Sequence, residues 1–105
     1  ALATKYTHET LEKAGLAALS NKGSYYDRFR SRILFPLQDM SGRVAAFGGR
    51  IIGEGMPKYM NSPETIIFDK SRLLFGLHPH RETIRAKKQA IVVEGNFDLL
   101  LLDVN

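Results

Sequence analysis

The sequence predicts an α+β chain, a small mixed sheet with flanking helices, followed by the first strand and helix of an α/β unit. Three patterns predict it. Apolar residues follow Thr7 at helical spacing, two apolar runs flank a turn at Asp39-Met40-Ser41-Gly42, and a continuous apolar run at residues 90–93 leads into Glu94-Gly95 and a leucine-rich helix.

Taken in order, Thr7 is the expected N-cap of a first helix, with Glu9 and Glu12 early and Leu11, Ala14, Gly15 and Ala18 on one side. Asn21-Lys22-Gly23-Ser24 breaks it, and the chain restarts at Tyr25. Ile33, Leu34, Phe35 and Leu37 predict a strand, which Pro36 confines to an edge or a bulge. Val44, Ala46 and Phe47 form the return strand of a hairpin, the best-defined local motif. The paired Gly48-Gly49 marks a bulge or a close approach to the backbone. Gly53-Glu54-Gly55 is a flexible loop leading through Pro57 to Lys58-Tyr59-Met60. A turn at residues 61–65 precedes a short buried segment, Ile66-Ile67-Phe68. Residues 71–77 fit a strand or a helix. Residues 78–88 predict a polar helix held by Ile84 and Ala86, with Pro79 in its first turn. Residues 90–93 predict a strand covered on both faces, and residues 97–104 the helix after it. Leu99-Leu100-Leu101-Leu102 carries no stop signal, as expected of a helix that continues.

With 44% hydrophobic and 25% charged residues, the 105-residue chain has the balance of an ordinary globular protein. No apolar run approaches the ~20 residues that cross a bilayer, so no membrane partner is expected. The first residues lack a secretory pattern, and a chain without an initiator Met is expected to be part of a longer parent. The absence of cysteine excludes disulfides and thiolate zinc sites and fits a cytoplasmic protein.

The net charge of +4 is unevenly spread. Between residues 22 and 50, Lys22, Arg28, Arg30, Arg32, Arg43 and Arg50 face only Asp27 and Asp39, while elsewhere nine cations balance nine acids. That stretch also holds Tyr25, Tyr26, Phe29, Phe35 and Phe47. Guanidinium groups pair with phosphate oxygens and flat rings stack on unpaired bases, so the mixture suits a nucleic acid. Composition fits equally well a core of aromatics under a solvated face of arginines.

Two short motifs carry candidate chemistry. Val92-Val93-Glu94-Gly95 puts an acid at the carboxyl end of a buried strand, where open α/β sheets place reactive groups, with Asp98 one turn on. Two carboxylates are too few for a hard cation, and on this pattern alone a helix-capping or ion-paired acid accounts for Glu94 better. Lys58-Tyr59-Met60-Asn61 offers a cation, a phenol and an amide for a phosphate, sugar or base edge, although in a strand Lys58 and Met60 face away from Tyr59 and Asn61. A surface loop beside a core tyrosine is the plain alternative. His8, His78 and His80 have no ligand partners at metal-binding spacing and are expected at the surface. Serine-nucleophile and P-loop patterns are absent.

In order, Tyr26-Asp27-Arg28-Phe29-Arg30, Phe35-Pro36-Leu37, Gly42-Arg43-Val44, Phe47-Gly48-Gly49-Arg50, Pro57-Lys58-Tyr59-Met60-Asn61-Ser62-Pro63-Glu64-Thr65, Phe68-Asp69-Lys70 and Val92-Val93-Glu94-Gly95 closely resemble the DnaG-type bacterial primases. The resemblance covers roughly the last three-quarters of the chain and departs from the family pattern mainly at Asn96-Phe97. It implies a division into a basic N-terminal subdomain of the primase catalytic core, 1–88, and the truncated start of a metal-binding Toprim domain, 89–105. It implies a nucleotidyltransferase parent that makes RNA primers on a single-stranded DNA template from nucleoside triphosphates. Arg50, Lys58, Tyr59, Asn61 and Lys70 match the family's basic motif and are the implied contacts to template, RNA primer or nucleotide, with Arg28, Arg30, Arg32 and Arg43 as further candidates. Glu94 matches the catalytic Toprim glutamate, which binds Mg²⁺ or Mn²⁺ with two aspartates expected beyond Asn105. The zinc module and the part that meets the replicative helicase are also expected elsewhere, so the chain alone is expected to bind no metal and to be inactive. The alternatives are a non-catalytic single-stranded nucleic-acid-binding module, in which Glu94 is structural, and a piece of a phage-type Toprim primase-helicase.

Overall fold

The computed structural model describes residues 2–104. Its first helix, α1 (His8–Lys13), starts where the sequence places it. Thr7 is extended, and its hydroxyl accepts the N–H of Thr10 at 3.2 Å. The helix stops at Lys13 and does not run on through Ala18. Gly15 adopts φ +74°, its N–H bonds Glu12 C=O at 2.8 Å, and Leu16 N–H reaches back to Leu11 C=O at 2.9 Å. That pair of bonds is the Schellman closure, which favours glycine at the left-handed position. Ala17 and Ala18 thus enter a strand, β1 (Ala17–Leu19), paired antiparallel with β2 (Tyr25–Asp27).

The main sheet has three antiparallel strands in the order β3 (Arg32–Gln38), β4 (Val44–Ile51), β5 (Tyr59–Asn61). Pro36 lies on edge strand β3, as its missing N–H requires, opposite Phe47. The register slips between Leu37 and Gln38, so the irregularity falls there and the paired glycines stay in register. In the β3–β4 turn, Asp39 accepts the backbone N–H groups of Ser41 and Arg43 at 2.9 and 3.0 Å and the Arg43 side chain at 3.0 Å. These bonds, the backbone N–H of Arg43 first, hold its carboxyl below the usual aspartate range. Beyond β5, Ser62 is almost fully buried and exchanges two bonds with Phe47: its N–H donates to Phe47 C=O at 2.8 Å, and its hydroxyl accepts Phe47 N–H at 2.9 Å.

Phe35, 4% exposed, anchors the core, with Phe75 and Phe97 meeting it edge-on at 5.7 and 5.1 Å. Of the segment expected to be buried at residues 66–68, only Phe68 is. Ile66 and Ile67 form the tip of a tight turn closed by Thr65 and Phe68, and Ile66 is 98% exposed. Residues 71–76 are neither strand nor helix. Helix α2 (Leu77–Lys87) begins after them with Pro79 at its third position, where a missing N–H costs nothing. Ile84 is half-buried and Ala86 exposed, so packing by those two does not hold α2. It is held through its first turns: the His78 ring lies against Gly42 and Arg81 donates to Met40 C=O at 3.0 Å. His78 and His80 are accordingly half-buried, not free surface groups, and His80 faces Asp103 at 3.6 Å.

Residues 90–93 form no strand. Ile91 and Val92 are about four-fifths exposed, and no described strand pairs with them. A run of this kind needs neighbours on both edges and both faces, and none stands beside it here. Helix α3 (Asn96–Val104) does form, with Leu99 packed so closely on Gly76 that a Cβ there has no room.

Replacing Phe35 with Ala should cost about 3 to 5 kcal/mol, because it empties the space between Phe75, in the segment before α2, and Phe97 of α3. Urea denaturation followed by circular dichroism would measure it. Asp39→Ala should lower the melting temperature at pH 7. Because folding depresses the Asp39 pKa, its contribution is fully present well above the ordinary value of 3.8, shrinks below that value and is lost as pH falls through the lowered folded value. The gap between wild type and variant should therefore hold in melts near neutral pH and narrow as the pH is taken below the ordinary aspartate value.

Candidate nucleic-acid interface

The β4–β5 register decides which of the predicted contacts can act together. Gly48 lies opposite Asn61 and Arg50 opposite Tyr59, so Arg50, Tyr59 and Asn61 share one face of the sheet, with Met60 on the other. The Arg50 guanidinium carbon stands 5.0 Å above the Tyr59 ring centre, which fixes the cation over an exposed aromatic surface. Gly48 also lies opposite Phe35 on β3, and α3 reaches the same row through Phe97 on Phe35. A Cβ on Gly48 would lie 3.3 Å from both Asn61 Oδ1 and Asn96 Nδ2. The turn that carries Glu94 is thereby brought against the face that carries Arg50, Tyr59 and Asn61.

Lys58 is exposed just before β5. Its carbonyl accepts Ile51 N–H at 2.9 Å and an Arg32 N–H at 3.3 Å, while its side chain is unpaired. Lys70 is exposed in the turn after Phe68, where its backbone N–H bonds Glu64 at 3.3 Å. The remaining arginines are dispersed. Arg43 is ion-paired with Asp39 at the hairpin turn, roughly 20 Å along β4 from Arg50. Arg30 lies over the Tyr26 ring at 5.1 Å, beside the smaller sheet, where His8 stacks on Tyr25 at 5.0 Å. Arg28 is half-buried, and its Nε is covered without a hydrogen-bond partner. Arg32 turns inward and donates to Gly49 C=O and Lys58 C=O at 3.5 and 3.3 Å, tying the β4–β5 edge.

Glu94 is exposed. Asp98 is engaged differently: its carboxylate accepts Gly95 N–H at 3.2 Å, the back-bond of a helix cap. Among the described residues no three His, Cys, Asp or Glu side chains converge on one point. Glu94 and Asp98 are thus one free and one capping carboxylate. The motifs did not single out Asn96, the first residue of the helix after Glu94-Gly95; its place over Gly48 beside Asn61 is visible only in the fold.

Arg32→Ala should speed hydrogen exchange of the Ile51 amide, which bonds Lys58 C=O, more than that of amides in β1 and β2. Exchange measured by NMR would reveal the difference.

No helix among the described residues is long and apolar enough to cross a membrane. Residues 1–81 match the family described as DNA primase catalytic core, N-terminal domain. The DNA primase of Synechococcus elongatus is 48% identical over 99 residues, which cover 93% of this chain and 14% of that protein. A crystal structure of the RNA polymerase domain of Mycobacterium tuberculosis primase DnaG with double-stranded DNA superimposes with a TM-score of 0.88 at 36% identity, covering 98% of this chain and 33% of that one. The DnaG primase catalytic domain bound to single-stranded DNA gives a TM-score of 0.78 at 45% identity, covering 87% and 29%. With its small antiparallel sheets, flanking helices and matched signature, this chain belongs to the DNA primase catalytic core N-terminal domain family, spanning about one-seventh of the length of the first of these relatives.

Proposed function

We propose that the chain is the basic part of a DNA primase polymerase core, the part that holds a single-stranded DNA template and nucleoside triphosphates during RNA primer synthesis. The observation that carries this is the single face shared by Arg50, Tyr59 and Asn61, with the Arg50 cation seated on the Tyr59 ring. A guanidinium over an exposed ring offers a phosphate partner and a stacking surface together, and Asn61 adds an amide for sugar or base. Lys58, next to Tyr59 in the chain, and Lys70 supply further exposed cations. The DNA-bound relatives of the same fold agree with it.

On this reading residues 1–88 are the binding subdomain, and residues 89–105 open the metal-binding domain. The unpaired, exposed run at residues 90–93 supports that division, since it has the composition of a sheet strand and no described neighbour. Glu94 would be one ligand of a Mg²⁺ or Mn²⁺ set whose other carboxylates are not among the described residues.

Fluorescence anisotropy with a labelled single-stranded DNA at several salt concentrations tests the binding face. Affinity should fall steeply with salt, and Arg50→Ala or Lys58→Ala should each flatten the log–log slope by about 0.7, the share of one phosphate contact on a single strand. Binding and slope unchanged in both variants would overturn the assignment.

A further inference from the structure

Helix α2 carries a basic side outside the face formed by Arg50, Tyr59 and Asn61. Residues 77–88 hold Arg81, Arg85, Lys87 and Lys88 against one acid, Glu82. At about 100° per residue, Arg81, Arg85 and Lys88 form one row along the helix, while Lys87 falls on the side of His80, which faces Asp103 of α3. The row starts at the β3–β4 turn, where Arg81 donates to Met40 C=O and where Arg43 stands with its side chain 80% exposed. Arg81 and Arg85 share the Glu82 carboxylate, each at 3.3 Å, and Lys88 is exposed with no ion-pair partner among the described residues. The helix also begins on the Arg50 side of the sheet. Phe35, Gly48 and Asn61 lie opposite one another across β3, β4 and β5, so Phe35 shares the face of Arg50 and Tyr59, and Phe75, just before α2, packs on Phe35.

The negative end of a helix dipole attracts cations to the last turn, and that accounts for Lys87 and Lys88 as neighbours. It does not account for a row that begins in the second turn and shares a single acid. Since α2 buries no residue, Arg85 and Lys88 keep their charged heads in solvent. We propose that the Arg81, Arg85 and Lys88 side of α2 is a second binding surface for the phosphate backbone of single-stranded nucleic acid, continuing the path of a strand seated on Arg50 and Tyr59. Successive cations roughly 5 to 6 Å apart along the helix axis meet phosphates in turn and read no base, which suits a template of any sequence. The inference rests on the strand-binding role proposed for the Arg50 face.

The test is the salt dependence of binding of a labelled single-stranded DNA of about twenty nucleotides, longer than the ~16 that one such surface covers, to the full 105-residue chain. The double variant Arg85→Gln with Lys88→Asn removes two charges in residues suited to their places: glutamine is a good helix former, and asparagine tolerates the left-handed conformation that Lys88 adopts at φ +51°. It should flatten the log–log slope by about 1.4, the share of two phosphate contacts on a single strand, with the far-ultraviolet circular dichroism unchanged. Lys87→Gln removes the same charge from the same turn on the side of His80 and should leave the slope as in wild type. An unchanged slope in the double variant, with Arg50→Ala still flattening it, overturns the α2 surface and leaves the Arg50 face standing. Flattening by Lys87→Gln equal to one contact overturns it too, because net charge and not the row would then be responsible. Flattening by the double variant but not by Arg50→Ala overturns the shared path and the Arg50 face. Failure of the wild type to bind the strand overturns both.

Discussion

Strand β4 is crowded on both edges and both faces, and Gly48 and Gly49 are what permit it. A Cβ on Gly49 would lie 2.9 Å from the Phe29 ring and 3.1 Å from the Arg32 stem. On the opposite face, Asn61 and Asn96 close over Gly48. Two consecutive residues without side chains thus let the chain before β3 press on one face while the start of α3 and the end of β5 press on the other. Larger residues would push these layers apart and separate the Glu94 turn from the basic sheet.

Around that strand the packing is aromatic and thin. Phe35 joins the hairpin to the segment before α2 through Phe75 and to α3 through Phe97, and Phe47 meets Phe29 edge-on at 6.3 Å. Few other large side chains are buried, so these rings and the Ser62–Phe47 exchange carry much of the specificity of the fold. Helix α2 buries no residue and depends on polar anchoring at its first turns. Ile91, Val92, Leu101 and Val104 are all more than half exposed.

The cations that look alike in the sequence have different work in the fold. Arg32 is a tether between backbone carbonyls, Arg43 belongs to the turn built on Asp39, and Arg30 covers Tyr26. Arg50 is set on Tyr59 and faces outward with Asn61. The basic excess between residues 22 and 50 therefore does not form one surface. The face that combines cation, ring and amide draws one residue from that stretch and two from β5.

Local chemistry was enough to determine much of this protein. Thr7 as a cap, the Asp39 to Gly42 turn, Pro36 on an edge strand and the family blocks are decided within a few residues of each position, by hydrogen bonds and backbone freedom that need no distant partner. The Schellman closure at Gly15 was also written locally, but the apolar spacing that continues to Ala18 obscured it, because alanine fits a helix face and a buried strand alike. What only the tertiary structure decided involves pairing across the chain. Residues 90–93 have the composition of a strand, but a strand exists only with a neighbour to bond. Asn61 and Asn96 are 35 positions apart and both lie over Gly48 because the β4–β5 register and the Phe35–Phe97 contact bring them there. Register and layer packing are sums over many weak contacts, so no short stretch of sequence contains them.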